Sequence, residues 1–465
     1  MSEKNNLLAA FMVPHPPLIV PAVGRGGEKS IEETTRAYER VADVIADLKP
    51  ETIIITSPHS VMYSDYFHIS PGKSASGNLG DFGARDVKFD VEYDTTLVDR
   101  ICDIAEDADF PAGKLGERSK NLDHGTMVPL WFITQKYKDF KLVRCGLSGF
   151  GLTDHYRLGK IMKQAIDELG RRTVIVASGD LSHKLKASGP YGFAPEGPQY
   201  DERIMDVCGR AAFGELFDFD SDFCDKAAEC GHKSFVIMAG AFDGMAVNAE
   251  KLSHQDVTGV GYGICIFRPE GPDESRHFLK NYIESVEGGL DDSAMSKDPY
   301  VRLAYRTIYE YILWNRKLAI PDGLPEEMRR NQAGTFVSIH KNGDLRGCIG
   351  TTGPTTACIA QEIINNAISA STEDPRFNPI TPDELKSLEI NVDVLGAPES
   401  IDSPKELDVK RYGVIVSCGG RRGLLLPDLD GVDSVEQQIS IAMQKGGIRP
   451  GEKIRLQRFE VVRHV

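Results

Sequence analysis

Five short apolar runs set the limits on what this chain can become: Leu7–Val13, Thr52–Thr56, Lys141–Cys145, Thr173–Ala177 and Val260–Phe267. Each is rich in Val, Ile or Leu and reads as a strand. Between them lie helical patterns over Ile31–Leu48, Thr96–Glu106, Gly151–Leu169, Tyr200–Phe213 and Phe235–Phe242. In the first of these Ala37, Val41, Ile45 and Leu48 fall on one face at helical spacing. Strands alternating with helices predict an α/β layered N-terminal domain built on a largely parallel sheet.

Past Pro269 the texture changes. The stretch "PEGPDESRHFLKNYIESVEGGLDDSAMSKDP" is acidic at both ends and rich in Gly, Ser and Pro, with one amphipathic piece at His277–Val286. It reads as a linker. A chain of 465 residues has room for two or three domains. The expected division is a first domain over residues 1–270, a linker over 271–297 and a second domain over 298–465. In the second, "GTFVSIHKNGDLRGCIG" reads as two strands joined at Asn342-Gly343, a strong hairpin signal. Further strands in "EINVDVLG", "YGVIVSCGGRRGLLLP" and "KIRLQRFEVVRHV", with two amphipathic helices, predict an α+β domain with antiparallel pairing.

Three first-domain strands run into a histidine. In "AFMVPHPPLIVP" His15 stands between prolines, which hold the loop stiff and extended. "TIIITSPHS" reaches His59 and "TVIVASGDLSH" reaches His183, while His124 lies in "NLDHGTMVPLW". Ligands of open α/β sheets bind outside the carboxyl ends of the strands, so these four histidines point to one polar site. A site built from imidazole suits Fe, Zn or Cu rather than Mg. The segment "AAECGHKSFVIMAGAF" offers a further ligand, Glu229 or Cys230, ahead of an apolar helix. Glu229 can equally serve as a helix N-terminal carboxylate. Asp180, three residues before His183, is placed to orient that imidazole. His68, His155, His254, His277 and His464 lack this context and are assigned to surface or core.

A net charge of −15 argues against a nucleic-acid surface, which needs clustered Lys and Arg, and against an anionic membrane. No apolar run approaches the ~18 residues of a membrane span, and prolines break the N-terminal run that a signal peptide would need. Nine cysteines without a CxxC pair argue against a disulfide framework and fit a reducing cytoplasm.

"VPHPP", "SPHS", "DHGTMVPL", "SGDLSH" and "ECG" ahead of "MAGA", spread over residues 5–270, resemble the class III extradiol dioxygenases of the protocatechuate dioxygenase beta-subunit type. They also resemble the related Memo proteins. The resemblance implies metal ligation by His15 and His59, with the third ligand from Glu229 or Cys230. It implies His183 as the acid/base and His124 as a residue facing substrate or oxygen. The dioxygenases place Glu near the third-ligand position and the Memo proteins place Cys-Gly there. This chain has both; Glu229 is preferred, with Cys230 as its rival. An extradiol dioxygenase-type oxidoreductase would use nonheme iron(II), with copper or zinc as alternatives, on a small catechol-like aromatic.

Residues 298–465 resemble the AMMECR family through "LRGCIG", "DPRF" and "GLLLP". The fusion resembles the AmmeMemoRadiSam system, which implies an alternative function: a metal-binding partner of a radical S-adenosylmethionine protein, without ring cleavage. Self-association into a homo-oligomer is left open. Read residue by residue, Arg346, Cys348, Asp374, Arg376 and "CGGRRG" (Cys418 to Gly423) allow two accounts of the second domain. One is a small anionic-ligand or nucleotide pocket using Arg421 and Arg422. The other, preferred, is a glycine-rich hairpin whose arginines pair with acidic neighbours.

Overall fold

The computed structural model describes residues 5–116, 121–288, 297–314, 316–429 and 431–465. The chain forms two compact units, Met1–Ser285 and Val286–Val465. Of the expected linker, the amphipathic piece is the helix Phe278–Gly288, and residues 289–296 lie outside the described residues.

In the first unit six strands form one sheet, in the order Lys141–Gly146, Thr52–Ser57, Thr173–Ser178, Leu7–Val13, Tyr262–Pro272, Met245–Gln255. The first four are parallel and the last two antiparallel. Val13 pairs with Ser178, and Thr56 with Ala177, so the three neighbouring strands end level. That register is what brings the following loops together.

Along these strands Phe11, Val13, Ile53, Ile55, Val174 and Val176 join one apolar cluster with Tyr38, Val41 and Ile45 of the helix Glu32–Leu48. Val128 and Phe132 of the helix His124–Lys136 belong to the same cluster. Tyr38 stacks on Phe132, with ring centroids 4.2 Å apart and planes 7° apart. Its hydroxyl donates to the Pro14 carbonyl, which pins the loop carrying His15. The helix His124–Lys136 was not legible in the sequence pattern. Residues 125–130, 132 and 133 are all buried, so it has no polar face, and Pro129 sits inside it. The strand Met245–Gln255 and the hairpin Ser74–Leu79 with Ala84–Glu92 are also additions.

The second unit is a seven-stranded antiparallel sheet. Six strands run in the order Asp344–Gly350, Thr335–Lys341, Leu388–Leu395, Arg455–His464, Tyr412–Cys418, Arg421–Leu425, and Glu399–Ile401 pairs with Arg455–His464. Its longer helices are Pro299–Trp314, Ile359–Thr372 and Val435–Lys445. The Asn342-Gly343 turn joins the first two strands as expected, both residues having positive φ (54° and 85°).

Two helices of the first unit approach to backbone contact. A Cβ on Gly159 of the helix Leu152–Leu169 would lie 2.0 Å from the Ile237 carbonyl oxygen in the helix His232–Gly240. Alanine gains about 1 kcal/mol of helix propensity over glycine, but overpacking costs about 1–3 kcal/mol, and here the obstacle is rigid backbone. Gly159→Ala is therefore expected to lower the free energy of unfolding in urea. A variant as stable as the parent would show that the two helices are free to separate.

Candidate metal centre

His15, His59 and Asp180 follow three adjacent parallel strands by two residues each. The loops are tied at once. Gly179 N–H donates to the Val13 carbonyl (2.9 Å) and the His15 N–H to Asp180 Oδ1 (2.7 Å). Ser57 Oγ accepts from the His59 N–H (3.2 Å) and donates to Asp123 Oδ1 (2.6 Å). Asp123 also accepts from Thr126 N–H (3.0 Å), capping the helix of which His124 is the first residue.

Three imidazoles meet there. His15 Nε2 and His59 Nε2 are 3.0 Å apart. One nitrogen from each of His15, His59 and His124 lies within 4.8 Å of the other two, an arrangement that can hold a metal ion. His15 is buried at the base, His124 half-buried, and His59 exposed at the mouth. The ring of His124, expected to face substrate or oxygen, lies 4.0 Å, centroid to centroid, from that of His59.

The tautomer of His15 follows from its surroundings. Ser178 Oγ donates its only proton to the Gly125 carbonyl (2.6 Å), so it can only accept from His15 Nδ1–H (3.0 Å). The proton is on Nδ1, and the Nε2 lone pair faces the cluster. The Gly125 carbonyl is available because its α-helical partner four residues on is Pro129, which has no N–H. Gly125 itself has no room for a side chain: a Cβ would lie 2.3 Å from Ser57 Oγ.

Glu229 and Cys230 part company. Glu229 Oε2 accepts from the backbone N–H of His232 (2.6 Å), the first residue of the helix His232–Gly240. Cys230 Sγ is 3.6 Å from His15 Nε2 and accepts from the Asp180 N–H (3.3 Å). The expected preference for Glu229 is thus reversed in space: its carboxylate is spent on the helix end, and the thiol faces the imidazoles. Gly179 and Gly231 make this approach close, since a Cβ on Gly179 would fall 2.1 Å from the Gly231 Cα. Asp180 also departs from expectation. Its carboxylate holds His15, with Oδ2 4.0 Å from His15 Nε2, and makes no hydrogen bond to His183.

His183 stands at the rim, stacked on Tyr191 with centroids 5.1 Å apart. Its Nε2 is buried and has no hydrogen-bond partner among the described residues.

Burial dominates the electrostatics. It pushes His15 well below the ordinary histidine range, and His59, His124 and His183 each add repulsion. Burial and His59 take His124 down to about 4, and the same two causes take His183 to about 4. Burial pushes the carboxyls of Asp180 and Glu229 up to about 7 and the Cys230 thiol above its ordinary range. At neutral pH the site holds neutral imidazoles, the form that binds metals; with its proton on Nδ1, His15 accepts at Nε2 from His59 Nε2–H, a bond that a metal ion would replace.

Two family models match this chain. Residues 9–265 match "Catalytic LigB subunit of aromatic ring-opening dioxygenase". The chain belongs to the LigB family. Residues 301–464 match AMMECR1, so a LigB domain is fused to an AMMECR1 domain. Protein CA_C1420 of Clostridium acetobutylicum is 40% identical over 462 residues, covering 98% of both chains. A protein of Thermotoga maritima is 47% identical over 172 residues, 37% of this chain and 99% of its own. The crystal structure of the uncharacterized protein PH0010 from Pyrococcus horikoshii aligns with TM-score 0.33 and 30% identity, covering 35% of this chain and 88% of that one.

In this LigB domain the sequence pattern did not mark the shell behind the imidazoles: Ser178, Ser57 and the Gly179–Gly231 contact. The signal for one part was present, since a proline six residues into a helix always frees a carbonyl.

Two outcomes follow. In the metal-free protein, 15N NMR of the imidazoles is expected to show His15 protonated on Nδ1. Ser178→Ala should mix in the Nε2-protonated form, and Pro129→Ala, by restoring an N–H that competes for the Gly125 carbonyl, should do so more weakly. A parent protein with His15 protonated on Nε2 defeats the assignment. The second concerns pH. His183 titrates near 4 when folded and near 6.5 when unfolded. It contributes nothing to the pH dependence above 6.5; below that the unfolded chain takes up a proton that the folded one refuses until about 4. The unfolding free energy of His183→Phe should therefore fall less steeply than the parent's between those values, by urea titration at each pH.

Proposed function

We propose that the LigB domain is a metal-dependent oxidoreductase of the ring-opening dioxygenase type, acting on a small catechol-like aromatic. The observation that carries this is the convergence of three neutral imidazoles, two at the ends of parallel strands and one at a helix start, beside a fourth histidine whose buried Nε2 has no hydrogen-bond partner among the described residues. The donor set fits a mid-transition metal, and His15, His59 and His124 would hold it. Such an ion, when bound, supplies Lewis acidity and redox capacity at the mouth of the sheet.

The chain's own residues do the rest. His15, with its proton committed to Ser178, presents a lone pair that cannot turn away. Exposed His59 leaves the centre open to a substrate from solvent. His183 Nε2, with no hydrogen-bond partner among the described residues, is free to take a proton from a substrate hydroxyl and return it, a role worth about 10²–10⁴-fold in rate. Tyr191, stacked on His183 and 59% exposed, offers an aromatic face at the same rim.

A second reading has its own support. With Glu229 engaged at a helix end and Cys230 beside His15, the centre can recruit a thiolate, which favours copper(I) or zinc over iron(II). On that reading the protein is a metal-binding partner of a radical S-adenosylmethionine protein and opens no ring.

His15→Ala and His59→Ala are expected to abolish stoichiometric metal binding with the fold retained, read by elemental analysis and circular dichroism. Retention of one metal per chain in both would remove the histidine cluster from consideration. Proton release on metal binding near neutral pH separates the two readings. Neutral histidines release none, whereas a thiol held protonated releases one on ligation. The same release in the parent and in Cys230→Ser, with unchanged affinity, supports an all-histidine iron centre, because any proton from the Asp180 carboxyl is common to both. Release of one proton, lost in Cys230→Ser, supports the thiolate reading.

A further inference from the structure

The AMMECR1 domain has a cavity of its own. The strands Asp344–Gly350 and Arg421–Leu425 lie at opposite ends of its sheet order, yet both line one cavity of about 790 Å³. The sheet therefore curls until its outer strands face each other. Alternate residues of the strand Thr335–Lys341 diverge: Val337 and Ile339 are fully buried, and Phe336, Ser338 and His340 line the cavity. The volume is in the range of small-molecule pockets, about 300–1,000 Å³.

Two guanidinium groups in the cavity wall are each locked by a buried carboxylate, Arg376 by Asp374 outside the lining and Arg463 by Asp393 within it. Asp374, 5% exposed, accepts from Arg376 Nε (2.9 Å) and Nη2 (2.7 Å). Asp393, 3% exposed, accepts in the same way from Arg463 Nε (2.8 Å) and Nη2 (3.1 Å). Each buried carboxylate fixes one edge of its arginine. The Nη1 groups make no hydrogen bond among the described residues, and the side chains remain 53% and 41% exposed. Pre-set guanidinium edges suit planar or tetrahedral oxyanions.

Two more cations line the cavity, Arg422 and Lys445, and neither has a side-chain partner among the described residues. Arg421, its neighbour in sequence, is instead paired with Glu452, and Arg346 with Glu384. The preference for paired arginines thus holds for Arg346, Arg376 and Arg421 and fails for Arg422. Counting the two locked pairs as neutral, Arg422 and Lys445 face one acid, Asp428. In a chain of net charge −15 this is a local positive excess with unspent donors. Phe336, Leu345 and Leu424 give the same cavity an apolar wall.

We propose that this cleft binds a small organic anion, one phosphate or carboxylate head set against the arginines with an apolar body against Phe336, Leu345 and Leu424.

The test uses the full-length protein and four probes: phenyl phosphate, benzoate, inorganic phosphate and phenol, each titrated by calorimetry up to about 10 mM. Phenyl phosphate or benzoate should saturate at least roughly tenfold more tightly than both inorganic phosphate and phenol. The tighter of the two identifies the head group. Arg422→Gln combined with Lys445→Gln, both exposed and unpaired, should weaken that binding by a similar factor without changing the thermal midpoint. The proposal is overturned if neither aromatic anion saturates, if phenol binds as well as they do, or if the double variant binds as the parent does.

Discussion

The Ser178 hydroxyl holds together three segments that are far apart in the chain. It donates to the Gly125 carbonyl at 2.6 Å and accepts from His15 Nδ1 at 3.0 Å, linking the end of a central strand to a helix and to the proline-bound loop. An alanine there would leave a buried imidazole N–H and a buried carbonyl without partners, each costing about 1–3 kcal/mol. The larger consequence is directional. With the Ser178 proton already given away, His15 has one permitted tautomer, and its second nitrogen is committed to the cluster. The helix proline that frees the Gly125 carbonyl is therefore as much a part of the centre as the imidazoles.

Desolvation rather than ion pairing governs the charge state of this centre. Burial heads the causes of the shifts at His15, His124 and His183, and it also keeps Asp180, Glu229 and Cys230 protonated beyond their usual ranges. Imidazoles held this close cannot share positive charge, so the cluster remains neutral until a cation arrives. Its protonated carboxyl and thiol then form a reserve of anionic charge, because a bound cation lowers the pKa of whatever lies beside it. Asp180 is placed for this through its 4.0 Å separation from His15 Nε2, and Cys230 through its 3.6 Å approach.

The sheet was legible because its strands are continuous apolar runs. Leu7–Val13 agrees at both ends, and the other three parallel strands each extend one residue further than read. Placing histidines at strand ends was enough to bring His15 and His59 together, since the register leaves the strand ends level. His124 came in by a route the pattern did not mark. Its helix is apolar all round and holds a proline, so neither periodicity nor helix propensity signals it. Of the two unpaired cations of the second cleft, Arg422 was legible as a pocket candidate together with Arg421, whereas Lys445 was not; successive strand residues point to opposite faces, so Arg422 lines the cleft while Arg421 pairs with Glu452.

The choice between Glu229 and Cys230 turned on where one helix begins. A start at Phe235 leaves both residues in a free loop, where a carboxylate is a reasonable ligand. The helix begins three residues earlier, at His232, which puts the Glu229 carboxylate within 2.6 Å of an unsatisfied first-turn N–H. Such N–H groups are obligatory donors and attract the nearest anion or acceptor. Glu229 is thus withdrawn by backbone chemistry that has nothing to do with a metal. The next residue is then turned the other way, into the gap that Gly179 and Gly231 keep open by having no side chains. A boundary error of less than one helical turn was enough to exchange the two residues' roles, because in "ECG" the cap, the thiol and the close-packing glycine are consecutive.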